Sequence, residues 1–440
     1  MGPRTPIRTL VAFGAIAVAA TTLAACSSAG SSAGDGGKVT ITYQTENSPG
    51  TTDAAQKFVA AFEKANPNIT VKLDTRPQGT DGDNLIKTQL STGEEDDVFL
   101  YNSGSLLQAL HPDDTLVDLS GESWASAVLP DFKNAVSTDK GMYGAPWGTS
   151  LAGGVMYNKK VYDQLGLTVP TTWADFIANS KKIKDAGIVP ILQTYGDTWT
   201  SQLFVLGDFA NVTAQDPNWA QQYNANDPNA KYSKQPALQG FLNTQDVFTQ
   251  GLVNQDYASL TNVNGLKELA LGTAAQYPIL SSTLASLQQS NPDKVNDIGF
   301  FALPAQSAAN TRLTMWEPNG LYIPKSTTGA KLDAAKKLVA FASSTEACDI
   351  QAQATLPTGP FSTSACKLPA DVPPLVNDEQ KYVDNKQTGL ALEFLSPIKG
   401  PNLEKILIAV GSGQSTAQQG AALYDDDVKK QAEQLGIPGW

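Results

Sequence analysis

The stretch from Val39 to Tyr101 alternates strand, helix, strand, helix, strand, and this order restricts the fold more than any other feature of the chain. "KVTITYQTE" places Val39, Ile41 and Tyr43 on one face at a period of two, as a strand lying on a core requires. In "TTDAAQKFVAAFEKANPN" the apolar positions Ala55, Phe58, Val59 and Phe62 recur at helical spacing. Thr52 and Asp53 suit the first turn of that helix, and Asn66-Pro67 stops it. "ITVKLDT" alternates again through Ile69, Val71 and Leu73. A second helix is expected near Asp83 to Ser91, followed by "DVFLY", a continuous apolar run of the kind found in strands buried on both faces. Alternation of this type builds a parallel, doubly wound sheet, whose ligands sit beyond the carboxyl ends of the strands. Glu46-Asn47-Ser48 and Asn102-Ser103-Gly104 occupy two such ends.

The segment before the first strand has a different character. Arg4 and Arg8 precede an apolar stretch from Leu10 to Ala25 that ends in small residues, the layout of a secretory signal. It is too short and too rich in alanine to serve as a permanent membrane span. Leu23-Ala24-Ala25-Cys26 resembles the lipobox of bacterial lipoproteins, which implies cleavage after residue 25 and acylation of Cys26. Each buried methylene contributes about 0.8 kcal/mol, so two or three acyl chains hold a protein on a membrane where one does so marginally. Residues 26–37 contain nothing able to pack and read as a flexible tether. Removing residues 1–25 leaves 415 residues, enough for two domains. The formal net charge of −12 argues against nucleic acid, anionic headgroups or polyphosphate as partners. Cys348 and Cys366 lie 18 positions apart, and in an oxidising compartment a disulfide is expected; two buried thiols are the alternative. Neither CxxC spacing nor a His/Cys cluster occurs, so no metal and no cofactor is expected.

Four blocks carry a family resemblance: "FVAAFEKANPNITVKL", "DDVFLYNSGSLLQAL", the long stretch from "MYGAPWGTS" to "DAGIVPI", and "GLYIPKSTTGAKLDAAKKLVAFASSTEA". In this order they resemble the sugar-binding lipoproteins of ABC importers, the maltose-binding-like class, over roughly Val39 to Leu435. The resemblance implies two α/β lobes joined by a multi-segment hinge, with the ligand in the cleft between them. Lobe 1 would comprise residues 38–145 and 304–364, and lobe 2 residues 146–303 and 365–440. Glycines and a proline in "GMYGAPWG" fit a first crossing near Pro146, and "FFALPAQ" and "GLYIPK" would lie near the others. The implied partners are a small-molecule carbohydrate, the transmembrane subunits of a permease, and the membrane through the lipid anchor. A monomer on the outer face of the cell membrane follows from the same resemblance.

A neutral sugar presents CH faces and hydroxyl edges, so its site calls for aromatic surfaces beside groups that donate and accept hydrogen bonds. On turns and strand ends the candidates are Glu46, Asn47, Tyr101, Asn102, Ser103, Trp147, Asp197, Trp199, Trp316 and Glu317. Tyr101 aligns with a family position that stacks on sugar, and Trp199 follows the strand "IVPILQ" where the family places a cleft aromatic, with Asp197 as a nearby acceptor. Trp147 fits stacking or hinge packing equally. Ser281 and Ser282 stand where relatives often have a tryptophan. Trp124, Trp173 and Trp219 have contexts that suggest packing, and the acidic runs "GEEDD" and "YDDDV" lack a calcium-loop pattern.

Enzymatic readings are weaker. "GTSLAG" is one residue short of an esterase elbow, but the single histidine, His111, lies upstream of Ser150, so the Ser, acid, His order of that fold is absent. A glycoside hydrolase needs two carboxylates flanking a bond, and Glu46, Asp197 and Glu317 keep that alternative open. A surface adhesin without a small ligand is the other alternative.

Overall fold

Val39–Glu46 (β1) and Ile69–Arg76 (β2) pair in parallel along their whole length, with Val39 opposite Ile69 and Glu46 opposite Arg76. The helix Pro49–Ala65 connects them and buries Ala55, Phe58 and Phe62. Its end is fixed by Asn66, whose backbone and side-chain N–H groups both donate to the Phe62 carbonyl. After the helix Gly79–Thr92, Val98–Tyr101 (β3) joins the other side of β1, again in parallel. These strands belong to a computed structural model that describes residues 38–47, 49–77 and 79–440. The expected signal peptide (1–25), the tether (26–37) and Cys26 lie outside the described residues.

Two further strands complete this sheet. Ala145–Trp147 (β4) runs parallel to β3, and a strand from the far end of the sequence, Asn319–Tyr322, inserts antiparallel between them. The second sheet is built around Leu151–Asn158 (β5). It also contains Val189–Ile191 (β6), Ala274–Leu280 (β7), Ile298–Phe301 (β8), Leu313–Trp316 (β9) and, beyond Asn319–Tyr322 (β10), Thr388–Leu390 (β11). The order is β11-β9-β5-β7-β6, with β8 also pairing with β5. Here β5 is antiparallel to β7, β8 and β9, unlike the parallel start of the first sheet. The difference is topological: β5 carries the chain into this lobe and β9 carries it out, so these adjacent strands must run in opposite directions.

Two lobes follow from the packing. One apolar core joins Ile41, Tyr43, Phe58, Phe62, Phe99, Tyr101 and Trp147 to Leu321, Tyr322 and Leu338. The other buried clusters draw only on residues of the second lobe, such as Met156, Leu266, Tyr277 and Leu313, or Phe209, Trp219 and Tyr424. Trp219 is buried and stacks on Tyr223, in keeping with the packing role its context suggests. The helix Trp173–Asp185 starts where its Thr-x-x-Asp signal lies, with the Thr172 hydroxyl accepting from the Asp175 N–H.

The lobe boundaries differ from the expected ones at three places. Residues 146 and 147 belong to β4 and hence to lobe 1. Segment 304–316 belongs to lobe 2 rather than lobe 1, because β9 pairs with β5 from Leu151–Trp316 to Gly153–Thr314. Thr311 reinforces this by accepting from the Ala305 N–H and donating to the Thr171 carbonyl. The return crossing therefore falls at Glu317-Pro318. Third, the chain does not cross once near residue 364. Pro360 reaches Ser150 and Phe361 bridges to Thr149, after which Thr363 pairs back with Val128 in lobe 1. Cys348 and Cys366 are bonded, with Cα atoms 5.9 Å apart, and close this excursion into a loop.

Candidate functional site

Strand direction decides which residues can meet. In the first sheet β1, β2, β3 and β4 end, and β10 begins, at the edge where the chain crosses. In the second sheet β5 begins there, while β6, β7, β8, β9 and β11 all end there. The two edges are joined by the crossings Trp147–Ser150 and Trp316–Asn319 and by the loop around Pro360. All ten candidate residues lie at or just beyond these ends, where doubly wound sheets bind ligands. Their side chains are used in different ways.

On lobe 1, Glu46 pairs with the guanidinium of Arg76 at 3.3 Å. Arg76 is itself buried and donates to the carbonyls of Leu100 (3.2 Å) and Pro77 (3.1 Å). Asn47 is exposed, and its N–H donates to the Arg76 carbonyl. Tyr101 offers no face: it is 0% exposed, with Arg76 5.7 Å from its ring centre, and burial pushes its phenol well up. Asn102 is half-buried and its carbonyl accepts from the Tyr322 hydroxyl, while the Ser103 hydroxyl donates to the Pro318 carbonyl at 2.8 Å. That bond fastens the end of β3 to the second crossing. Next to it, Gly104 has φ 70°, and a Cβ there would lie 2.6 Å from a ring carbon of Phe394, so glycine allows the lobes to touch at this point. Trp147 is 6% exposed and packs edge-on against Phe58, with ring centres 4.6 Å apart.

On lobe 2, the Asp197 carboxylate accepts from the N–H of Asn262 at 2.7 Å, in the first turn of the helix Asn262–Leu271, so it is committed to that helix. Trp199 is half-buried against the lobe-2 core. The Trp316 indole N–H donates to Glu393 at 2.7 Å, and Glu393 also pairs with Lys399 at 3.5 Å. Glu317 points away from Trp316 and accepts from the Ser362 hydroxyl at 2.6 Å. The three carboxylates proposed for a hydrolase, Glu46, Asp197 and Glu317, thus serve three separate partners.

Two cavities flank the crossings. One, of about 240 Å³, is lined by residues of all three connections, among them Trp147, Thr149, Asn319, Gln351, Thr358 and Phe361. Among the described residues none that lines it is charged. Gln351 accepts from the Gly148 N–H at 2.6 Å, and the Thr358 N–H donates to the Thr149 hydroxyl. The other, of about 520 Å³, lies on the Glu317 side and includes Asp131, Ser362 and Lys386. Arg76, Gly104, Asn319, Gln351, Phe361, Glu393 and Phe394 were not among the sequence candidates. Gln351 sits inside a helix, Arg76 is the last residue of β2 and Asn319 the first of β10, and the others lie in short connections, so no periodic signal marks them.

Burial holds the Glu317 carboxyl up at about 7; the Ser362 hydrogen bond opposes this and the negative charge of Asp131 adds to it. The folded state therefore keeps a proton that the unfolded chain gives up near pH 4.5, and stability is lost as pH rises through that interval. Glu95, pushed up to about 8 by burial, acts in the same sense. Glu317→Gln is expected to raise stability by about 1–3 kcal/mol at high pH and leave it unchanged below the unfolded pKa. Melting curves at both ends of the range check this, and an equal shift at both would refute it.

Residues 48–347 match the family model described as bacterial extracellular solute-binding protein. That is more than half of the chain, and the chain belongs to this family. It is 26% identical to the multiple sugar-binding protein of Streptococcus mutans over 302 residues, covering 68% of this chain and 70% of that one. Among solved structures, the solute-binding protein RafE in complex with raffinose superposes with a TM-score of 0.68 at 21% identity, over 90% of this chain and 98% of RafE. The apo form of RafE from Streptococcus pneumoniae gives 0.74 at 21% identity, over 90% and 99%. These likenesses fit the two-lobe α/β architecture.

Proposed function

We propose that this chain is the receptor of an ABC importer, capturing an uncharged carbohydrate outside the cell and delivering it to the permease subunits without altering it. The carrying observation is the cavity at the crossings, where the described residues present amides, hydroxyls and two aromatic rings, and no charge. Such a lining satisfies sugar hydroxyls and rejects ions, since a buried charge without a partner is costly. The Streptococcus mutans relative is named for binding multiple sugars, and the RafE complex holds raffinose. Both support the choice of ligand class. Among the described residues no helix is long and apolar enough to cross a membrane. The lipobox-like Leu23-Ala24-Ala25-Cys26 supports attachment through acylated Cys26, with the body acting as a monomer.

A thermal-shift panel tests the reading. Raffinose, stachyose and melibiose are compared with glucuronate and free amino acids, and the sugar samples are assayed for released monosaccharide. A neutral sugar at about a hundred times its Kd is expected to stabilise the protein by about 2.7 kcal/mol, with no product released. Stabilisation by the charged solutes alone would overturn the ligand class, and release of monosaccharide would favour a hydrolase.

A further inference from the structure

Glu379 lies on the helix Pro374–Asp384 of lobe 2 and is 0% exposed. Among the described residues neither of its carboxyl oxygens has a hydrogen-bond partner of regular geometry, although the Ser281 hydroxyl lies close enough to favour its charged form. Above it sits the tip of the loop closed by the Cys348–Cys366 bond. A Cβ added to Gly359 would lie 2.7 Å from Glu379 Oε2 and 2.2 Å from the Ser150 carbonyl oxygen, so only glycine fits between them. Both ends of this loop are held by lobe 1: it leaves the helix Thr345–Ala354 and returns to Val128 and to Cys348. Its middle rests on lobe 2. Leu356 packs against the lobe-2 core, and the Pro360 carbonyl accepts from the N–H (2.8 Å) and the hydroxyl (2.9 Å) of Ser150. This is where an element fixed to one lobe lies on a buried acid of the other.

The surroundings of Glu379 favour the neutral acid. Burial raises its pKa well above the ordinary carboxyl value, the charge of the neighbouring Asp378 adds to this, and the hydroxyl of Ser281 at the end of β7 opposes it. Among the described residues no lysine or arginine pairs with Glu379. An ionised carboxylate there would lack a counter-charge, and moving the loop aside to admit water is the simplest relief.

We propose that Glu379 is a protonated latch holding the Cys348–Cys366 loop of lobe 1 against lobe 2, and that loss of its proton to solvent loosens the loop and weakens ligand capture. The capture half of this proposal rests on the solute-binding reading; the latch itself does not. The loop lines the crossing cavity through Pro357, Thr358 and Phe361, so loosening it removes part of the wall a sugar would touch.

Amide hydrogen exchange of Ser150 and Thr358, whose N–H groups bond to Pro360 and Thr149 across this contact, corrected for intrinsic rates and measured without ligand, tests the latch. Between about pH 6 and about pH 9.5 the wild type is expected to lose about tenfold of its protection there, and Glu379→Gln less than about threefold. The same loss in both proteins, or constant protection in the wild type, overturns the proposal, and the wild-type arm decides even if the variant does not fold. Raffinose affinity at the two pH values is the second readout. A drop of about tenfold confined to the wild type supports coupling to capture, and equal affinity at both values removes it. Failure of raffinose to bind at all bears on the ligand class, leaving hydrogen exchange to judge the latch.

Discussion

Phe58→Ala is expected to cost about 3–5 kcal/mol of stability, as truncation of a buried phenylalanine generally does. Phe58 is 0% exposed and lies among three rings: Tyr43 and Trp147 meet it edge-on at 6.2 and 4.6 Å, and Phe341 stacks on it at 5.5 Å. It joins the helix Pro49–Ala65, the helix Gly329–Ala342 and the end of β4. Besides the lost transfer energy, each aromatic pair contributes about 0.5–1.5 kcal/mol beyond its buried area, so the loss lies towards the upper end of the range. The cavity would open directly beneath Trp147, which lines the crossing cavity, and ligand affinity should fall with stability. Urea unfolding checks the first effect and titration with the stabilising sugar the second. Phe58→Leu, which fills most of the volume, should recover more than half of the loss in stability. If the alanine variant lost less than about 1 kcal/mol, the packing of lobe 1 described above would be wrong.

The position of Phe58 in the core was legible in the sequence because helical periodicity places it with Ala55, Val59 and Phe62. The same holds for β1 and β2, whose alternation is regular over several residues. Strands β4, β9 and β10 carry only three or four residues each, too few for a period to register, and their sheet membership depends on partners far away in the chain. The misplaced boundary at 304 comes from this, since a proline-containing turn after β8 resembles a crossing until β9 is seen to pair with β5. For the site, alternation placed Glu46 and Tyr101 at strand ends, where β1 and β3 do stop, but could not orient their side chains. Tyr101 shows the limit: the run Val98-Phe99-Leu100-Tyr101 is apolar on both faces, and the structure buries its last ring with the rest. Asn319, Gln351 and Phe361 come from three separate segments, and only the closure of the crossings brings them to one cavity.

Removing the Cys348–Cys366 bond is expected to lower stability by about 3 kcal/mol, the entropy a cross-link of this span withdraws from the unfolded chain. The bond encloses a segment that lines both cavities, with Thr358 in the neutral one, Ser362 in the charged one and Phe361 shared. Two consequences can be separated by experiment. The first acts on the unfolded state: a Cys348→Ala/Cys366→Ala variant should unfold at lower urea concentration, because its unfolded chain is less restricted. The second acts on the native state. Without the bond, the loop is held on lobe 1 by the Val128–Thr363 bridge and by the hydrogen bonds from Ser364 and Thr363 to the Ala127 carbonyl. The amides of Thr358 and Ser150 should then exchange faster while the core strands β1 and β5 keep their relative protection. A lower urea midpoint with unchanged loop exchange would confine the bond's effect to the unfolded chain. An unchanged midpoint would refute the stability prediction, since it would mean that the contacts of the loop with Ser150 and the lobe-2 core fix it independently of the bond.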